Sequence, residues 1–425
     1  MSVQAHKHIS MLKDLYMETK KDRYNKKKSL KCYLDLGNDT VMLPLRYGID
    51  KGVIADECEE RYATTSAVFT GKLRDKQPLW YKHIVSTLAD TRTCFLSSNC
   101  GSGKTIMTIK AIVASGMRAI VFFHIKGNRG QWEKEIASFS TLSTCILANF
   151  NTKKKGVPEA DVYLAMKSDV KYMSQTFIDS VGFLAVDEAK LQCSQQYVNA
   201  FLHFRPRYAM ALSADYTRED GFHVMIDHIF GKERILVLDK RPFDIIRINT
   251  IFKPVLKSTK GMDWNDVTEQ MSVNKERNAY LASEIIVDLD AGHKIIALSK
   301  RVKQLEALHE LLKDTKYKIG KYWGDSEGYE NCDVLLAGVK KGGVGFDSKS
   351  SCSQVFDGKP FDTVHLLSSM KEVQQYVGRA RADVVTVKDY VDDMGTFKKH
   401  YDIRLEWYKT LVNAKYTEKF MRMVI

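Results

Sequence analysis

Residues 98–105 read Ser-Asn-Cys-Gly-Ser-Gly-Lys-Thr, and they lie between two short apolar runs at residues 94–96 and 106–109. A strand, a glycine-rich turn and a helix in this order cradle nucleotide phosphates, because backbone N–H groups and the positive end of the helix converge on one anion. Lys104 is expected to contact the β- and γ-phosphates, and the Thr105 hydroxyl to ligate Mg²⁺. The first glycine that is usual in such loops is absent, so an ordinary strand-to-helix turn is the alternative.

The bulk composition limits the class of protein. The chain has 425 residues, of which 44% are hydrophobic, which is enough for two or three domains with their own cores. No apolar run approaches the roughly 18 residues of a membrane span, and the lysine-rich N-terminus lacks the apolar segment of a secretory signal. The 8 cysteines include no C-x-x-C pair. This excludes a zinc site and a disulfide framework, and it indicates an intracellular, reducing compartment.

The charge balance indicates a polyanionic partner. Lysine and arginine number 65 against 52 acidic residues, which gives a formal net charge of +13. Such a balance favours binding to nucleic acid, although a basic surface without a partner is the alternative. No membrane partner is expected.

The order of apolar segments predicts three domains. Residues 1–68 carry a few short strand-like segments and are expected to form a small N-terminal accessory domain. Residues 69–245 and 246–425 each alternate strand with helix, which is typical of an α/β fold with a parallel sheet between helices. Predicted strands lie at 94–97, 119–124, 160–165, 182–186 and 208–212 in the first lobe and at 294–299, 334–337, 363–367 and 384–391 in the second, where helices are predicted at 275–289 and 302–313.

Two further stretches carry candidate chemistry. Residues 183–190, Phe-Leu-Ala-Val-Asp-Glu-Ala-Lys, place Asp187 and Glu188 at the end of a buried strand, where parallel sheets bind ligands. Asp187 is expected to hold Mg²⁺ through its water shell, and Glu188 to polarise the attacking water, although the pair could instead cap the next helix. Residues 374–382, Gln-Gln-Tyr-Val-Gly-Arg-Ala-Arg-Ala, offer two arginines whose planar forks suit a γ-phosphate, or which could simply pair with surface carboxylates.

Together these motifs resemble those of the superfamily 2 helicases, in the family's order, over about residues 69–410. The resemblance implies two tandem RecA-like lobes, with ATP and Mg²⁺ bound between them. It also implies an ATP hydrolase that nucleic acid stimulates. Other stretches that match are residues 73–77, Gln131-Trp132 in a region lining the nucleic-acid path, residues 211–215 with 218–221 and 230–231, residues 294–308, and residues 345–347.

The resemblance also assigns roles to individual residues. Gln77 would select ATP, and the arginines at 379 and 381 would reach the nucleotide from the second lobe. The catalytic residues would be Glu188, Gln375, Arg379 and Arg381. Thr105 and Asp187 would hold the metal. The nucleotide-binding residues would be Arg74, Gln77, Ser98, Asn99, Cys100, Gly101, Ser102, Gly103, Lys104, Thr105 and Asp347.

Within the superfamily, the sequence is most similar to a viral and phage branch that includes the poxvirus transcript-release helicase and a phage recombination helicase. Residues 69–74, 274–278, 298–301 and 391–393 carry this finer match.

Three positions depart from the usual pattern. Lys190 and Asp215 replace a histidine and a threonine that link hydrolysis to strand movement, and the second arginine stands at 381 instead of 382, a spacing that resembles duplex-RNA helicases of the Dicer type.

The leading hypothesis is therefore an ATP-dependent helicase or translocase of viral transcription, replication or recombination. DNA is expected as substrate in preference to RNA or a DNA–RNA hybrid. Partners are expected in the transcription or replication machinery. The expected site of action is the cytoplasm or nucleus of an infected cell, or the virion. The alternatives are the motor subunit of a restriction-type complex and a nucleic-acid-binding ATP sensor without unwinding. Three segments are candidates for contact with a nucleic-acid strand, namely residues 127–131, 299–301 and 340–343. For each of them a solvated loop without such a contact is the alternative.

Overall fold

A computed structural model divides the chain into two compact units, Met1–Val237 and Leu238–Ile425. Each is described here by itself. In the described part of the chain, no helix is long and apolar enough to cross a membrane. The structure describes every residue except 1, 5–8, 19–28, 38–39, 54–60, 75, 99–101, 148–156, 215–217, 219, 238–239, 256–262, 344–345, 347, 350 and 422–425.

A seven-stranded sheet, parallel throughout, forms the centre of the first unit. Several of its strands are buried on both faces, which explains why they read as continuous apolar runs in the sequence. The strand order across the sheet is β12-β6-β11-β10-β7-β9-β8. These strands are β6 (Thr93–Ser98), β7 (Ala119–Phe123), β8 (Thr144–Ile146), β9 (Val162–Met166), β10 (Phe183–Val186), β11 (Tyr208–Ser213) and β12 (Ile235–Val237).

Helices connect these strands and cover both faces of the sheet. The helices of the first unit are α1 (Ile9–Asp14), α2 (Leu45–Asp50), α3 (Gln77–Thr91), α4 (Lys104–Ser115), α5 (Gly127–Phe139), α6 (Gln175–Asp179), α7 (Gln195–Leu202) and α8 (Val224–Phe230), with 3-10 turns at Lys167–Tyr172 and Ala189–Gln192. Phe95 and Phe122 point into the core on one face, and their neighbours Leu96 and Val121 into the core on the other. This alternation is the two-residue period of a strand.

The N-terminal segment shares one of these cores. It contains β1 (Ser2–Gln4), β2 (Tyr16–Glu18), β3 (Ser29–Lys31), β4 (Leu34–Gly37) and β5 (Thr40–Met42). Leu30, Val41 and Tyr47 are buried in the same cluster as Phe95. The Gln195 side chain of α7 also accepts from and donates to the Lys31 backbone, at 2.7 and 2.8 Å. The segment predicted as a separate accessory domain is therefore packed into the first unit.

The second unit is built on another parallel sheet of seven strands, in the order β15-β16-β14-β17-β18-β13-β19. Its strands are β13 (Pro242–Asn249), β14 (Ile295–Ser299), β15 (Ile319–Tyr322), β16 (Val334–Gly338), β17 (Thr363–Leu366), β18 (Val385–Val391) and β19 (Asn413–Phe420). Its helices are α9 (Trp264–Val273), α10 (Lys275–Asp290), α11 (Val302–Leu312), α12 (Val339–Gly342), α13 (Gln374–Val377) and α14 (Gly395–Tyr408).

The α/β class with two parallel-sheet lobes is confirmed, and every strand and helix that the sequence predicted in the two lobes is present within a few residues. The domain limit drawn after residue 245 falls inside β13, which pairs with β18 and β19 of the second sheet. Strands β8, β12, β13, β15 and β19 were not predicted. Four of these five lie towards the margins of their sheets, where one face or one edge is exposed and the apolar run is shorter or interrupted.

A buried ion pair explains two of the sequence stretches that carried the finer resemblance. Arg277 of α10 donates from Nε and Nη2 to the two carboxylate oxygens of Asp392, at 2.6 and 3.0 Å, and both side chains are 1% exposed or less. Thr250 donates to the same carboxylate, and the Asn274 side chain caps the start of α10. Residues 274–278 and 391–393 therefore hold α10 against the carboxyl ends of β13 and β18.

Replacing Arg277 by Met should destabilise the second unit by about 3–5 kcal/mol, because the Asp392 carboxylate would stay buried without its partner. Lys398→Met is the matched control, since it breaks the neighbouring Lys398–Asp393 pair, which is about half exposed. That change should cost no more than about 1 kcal/mol. Urea unfolding followed by circular dichroism measures both free energies, and equal losses in the two variants would contradict the prediction.

Candidate nucleotide-binding site

The glycine-rich loop joins β6 to α4, as the sequence predicted. Ser98 ends the buried strand, and α4 begins at Lys104 directly after Gly103, whose φ is +90°. The Lys104 ammonium donates to the Ser98 carbonyl at 2.6 Å, and the Ser98 and Ser102 hydroxyls are 2.6 Å apart. The lysine therefore bends back over the loop. Three of the predicted nucleotide-binding residues in this loop lie outside the described residues, namely Asn99, Cys100 and Gly101.

Gln77, the predicted ATP-selecting residue, braces this loop from the start of α3. Its side-chain amide donates to the Ser102 carbonyl and accepts from the Arg74 N–H, both at 2.9 Å. A Cβ added at Gly103 would lie 2.2 Å from the Gln77 amide nitrogen and would displace that amide, and the positive φ of this position favours glycine. The structure therefore brings Arg74, Gln77 and the phosphate loop together.

Asp187 follows β10 at the same carboxyl edge of the sheet. Its backbone N–H donates to the Phe122 carbonyl of β7 at 2.9 Å, and its carboxylate Oδ2 accepts from the Trp132 indole at 3.2 Å. Burial, reinforced by the Glu188 carboxylate, raises the pKa of Asp187 to about 7, although the Lys104 ammonium and the indole hydrogen bond act in the opposite direction. Lys104 and the acidic pair therefore share one electrostatic site.

Glu188 has a left-handed backbone, with φ of 51° and ψ of 54°. Among the described residues, only Arg92 shares this feature outside glycine. Such a conformation costs about 1–3 kcal/mol and is typical of functional sites, because the surrounding structure has to enforce it. Gln192 contributes to that enforcement, since its buried amide donates to the carbonyls of Phe122 and Asp187. These two hydrogen bonds stabilise the turn after β10 in which Glu188 lies.

Arg218 ties the turn after β11 to the turn after β10. Its guanidinium donates to the Lys190 carbonyl at 2.8 Å and to both carboxylate oxygens of Asp220, at 2.9 and 2.6 Å. The two stretches that depart from the family pattern at Lys190 and Asp215 are therefore connected through Arg218. Asp215 itself lies outside the described residues.

The second unit contains the other predicted catalytic residues. Arg379 is buried, and its two Nη groups donate to the backbone carbonyls of Phe346 and Gly343. Gln375 and Arg381 are partly exposed. Asp347 lies outside the described residues. Arg379 thus binds backbone carbonyls that follow α12. The catalytic roles of Arg379, Gln375 and Arg381 stay predictions.

The segments predicted to contact a nucleic-acid strand are only partly exposed. Arg129 of the first segment is buried, and it donates to the Leu147 carbonyl at 2.6 Å. Arg301 bonds Thr268 and Asn265 of α9, and Lys341 donates to the Ser326 carbonyl. Exposed positions in these segments remain at residues 127, 300 and 340. These basic side chains therefore have structural partners that the sequence did not indicate.

The Trp132 side chain does not face the surface, and the assignment of the surrounding region to a nucleic-acid path stays a prediction. The indole is 3% exposed, packs edge-on against Phe123 and points towards Asp187. The sequence identified the Gln131-Trp132 pair as one of the matching stretches. Only the fold shows that the ring turns inwards, because α5 packs on the strand beside β10.

Comparison with known proteins gives several viral relatives. No family model matches the chain. It is 29% identical over 381 residues to "Putative helicase 161L" of Invertebrate iridescent virus 6, covering 82% of this chain and 83% of that protein. It is 24% identical over 421 residues to "Putative ATP-dependent RNA helicase L396" of Acanthamoeba polyphaga mimivirus, covering 91% and 78%.

A solved structure supports the fold. Dbp5 of S. cerevisiae, bound to RNA and ADP BeF3, aligns with 80% of this chain and 89% of its own, with a TM-score of 0.54 and 13% identity. The ordered motifs, the two parallel seven-stranded sheets and the viral relatives together support a superfamily 2 helicase of viral type, an ATP-hydrolysing enzyme.

Proposed function

We propose that this protein couples ATP hydrolysis to movement along nucleic acid or to its unwinding. One observation carries the proposal: the phosphate loop and the Asp187–Glu188 pair meet at a single carboxyl edge of the first sheet, with the Lys104 charge acting on Asp187. That edge is where open parallel sheets bind their ligands. The basic net charge of +13 supports a polyanionic partner.

The residues at this edge fit a magnesium–nucleotide complex. In the described part of the chain, no group of three or more His, Cys, Asp or Glu side chains could hold a metal ion. Magnesium does not need such a cage, because it keeps several waters and is held by one or two protein groups together with substrate phosphates. Asp187 and the Thr105 hydroxyl would hold it, and the ion would supply charge neutralisation at the phosphates when bound.

The protein groups would then act as follows. Lys104 binds the phosphates as a point charge, and Gln77 with the Arg74 segment orients the base. Glu188 orients and polarises the attacking water from its enforced turn. Arg379, Arg381 and Gln375 are proposed to complete the reaction from the second unit, as the family resemblance implies.

We propose DNA as the substrate in preference to RNA, and transcription or replication proteins as partners. The mimivirus relative is named an RNA helicase, and the Dbp5 structure contains RNA. The test therefore measures the effect of RNA alongside that of DNA. A motor that serves a separate nuclease, and a sensor that binds without unwinding, are further outcomes that the same experiment distinguishes.

The test is ATP turnover measured in parallel with single-stranded DNA, duplex DNA, forked DNA and RNA. Stimulation by at least one of them is expected, and strand displacement on the forked substrate separates a helicase from a translocase. Lys104→Ala should abolish nucleotide binding. Glu188→Gln should bind ATP normally and lower turnover by about 10²-fold or more, because it removes the water-activating group. Turnover that no nucleic acid changes would overturn the motor proposal.

The raised pKa of Asp187 predicts a pH-dependent magnesium effect. With a pKa of about 7, the carboxyl is mostly protonated at about pH 6 and mostly ionised at about pH 8. Protonation removes the negative charge that attracts Mg²⁺ and its water shell, so the gain in nucleotide affinity on adding Mg²⁺ should be larger at the higher pH. Titration of a fluorescent ATP analogue measures this gain. Asp187→Asn is the control and should remove the pH dependence, whereas an equal gain at both pH values in the unmodified protein would contradict the prediction.

Gln77→Ala should reduce the preference for ATP over GTP, because the amide that braces the phosphate loop beside the base would be lost. Competition between the two nucleotides for a fluorescent analogue measures the preference. Gln131→Ala is the matched control, since within the described residues that amide donates to Glu135 one turn further along α5 and not to the phosphate loop. Unchanged selectivity in Gln77→Ala would show that Gln77 has only a structural role.

A further inference from the structure

Trp132 is the one aromatic side chain with a hydrogen bond to the candidate magnesium carboxylate in the described part of the chain. Its Nε1–H donates to Asp187 Oδ2 at 3.2 Å, and the indole is almost fully buried. An indole nitrogen can only donate a hydrogen bond. The contact therefore ties one oxygen of the carboxylate to a donor that is itself fixed in the core.

The position of the indole is rigidly determined. Helix α5 starts at the carboxyl end of β7, the strand that pairs with β10 directly before Asp187. The Trp132 ring packs edge-on against Phe123 at the end of β7, with 5.7 Å between ring centroids. The Asp187 N–H is bonded to the Phe122 carbonyl of the same strand. Donor and acceptor are thus anchored to neighbouring positions of β7.

The hydrogen bond also orients the carboxylate. It engages only Oδ2, and among the described residues no hydrogen bond joins Oδ1. The backbone bond to Phe122 fixes the start of the Asp187 side chain, and the indole bond restrains Oδ2. Oδ1 is then the oxygen proposed to accept from the water shell of an ion. A carboxylate that is already oriented loses less freedom when an ion binds.

We propose that Trp132 is a positioning residue that sets the affinity of this site for the magnesium–nucleotide complex by holding the Asp187 carboxylate in a fixed orientation. The inference rests on the proposed function, in which Asp187 holds the magnesium of a bound nucleotide. It explains why a buried tryptophan follows Gln131 in a helix that begins at the functional edge of the sheet.

Trp132→Phe tests the proposal, because it keeps the aromatic packing and removes the N–H donor. The measurement is the equilibrium affinity for a fluorescent ATP analogue with and without Mg²⁺, in the absence of nucleic acid and of turnover. The gain in affinity that Mg²⁺ produces should fall about tenfold, the size expected for losing a hydrogen bond to a charged group. Affinity without Mg²⁺ should change little.

Trp80→Phe is the matched control. Trp80 packs against the same core of the first unit as Trp132, and no contact joins it to Asp187 within the described residues. The substitution is chemically identical, so it should leave the magnesium gain unchanged. Thermal unfolding by circular dichroism confirms that both variants are folded. An equal loss in the two variants would mean that general packing, and not the indole donor, sets the affinity.

A double-mutant cycle with Asp187→Asn separates the inference from the proposed function. If Trp132 acts through Asp187, Trp132→Phe should have no further effect on the magnesium gain once Asp187 is replaced. Additive effects would overturn the inference. If Asp187→Asn alone leaves the gain unchanged, the assignment of the magnesium site itself fails. If only Trp132→Phe leaves it unchanged, the inference fails and the proposed function stands.

Discussion

The parallel order of β6, β11, β10 and β7 is the constraint on which the candidate nucleotide site depends. Parallel strands present all their carboxyl ends at one edge, so the turn after β6 and the turn after β10 meet there although they are far apart in the chain. The backbone bond from Asp187 to Phe122 extends the same edge to β7. The strand order thus places the phosphate loop, the acidic pair and the start of α5 within one site.

This edge brings several charges together. Asp187 and Glu188 lie side by side, one of them in a left-handed turn, with the Lys104 ammonium as the opposing charge. The second unit treats its buried charges differently. Lys388 is bonded to Glu284 and Asp288 at 2.6 and 2.9 Å, as Arg277 is to Asp392. A cluster of charges with a shifted carboxyl pKa is typical of a functional site.

The sequence predicted most of the fold because buried parallel strands are continuous apolar runs, as β7 and β14 show. It did not predict the strands β8, β12, β13, β15 and β19. Most of these lie at the edges of their sheets, and their partly exposed residues give a sequence pattern that resembles that of loops. It also drew the N-terminal segment as a separate domain. Local hydrophobicity cannot show that Leu30 and Val41 are buried against the core that contains Phe95, since that burial depends on contacts distant in the chain.

The sequence by itself determined the chemistry of this protein: a phosphate loop, an acidic pair after a buried strand and an arginine motif, in the order of one helicase family. Those signals are local, because each depends on residue types at fixed spacing along one turn. Tertiary structure alone decided the partners of the side chains. It turned Trp132 towards Asp187, placed Arg129 on a backbone carbonyl and paired Arg277 with Asp392. Such contacts join residues distant in the chain, and their geometry follows from the strand order of each sheet.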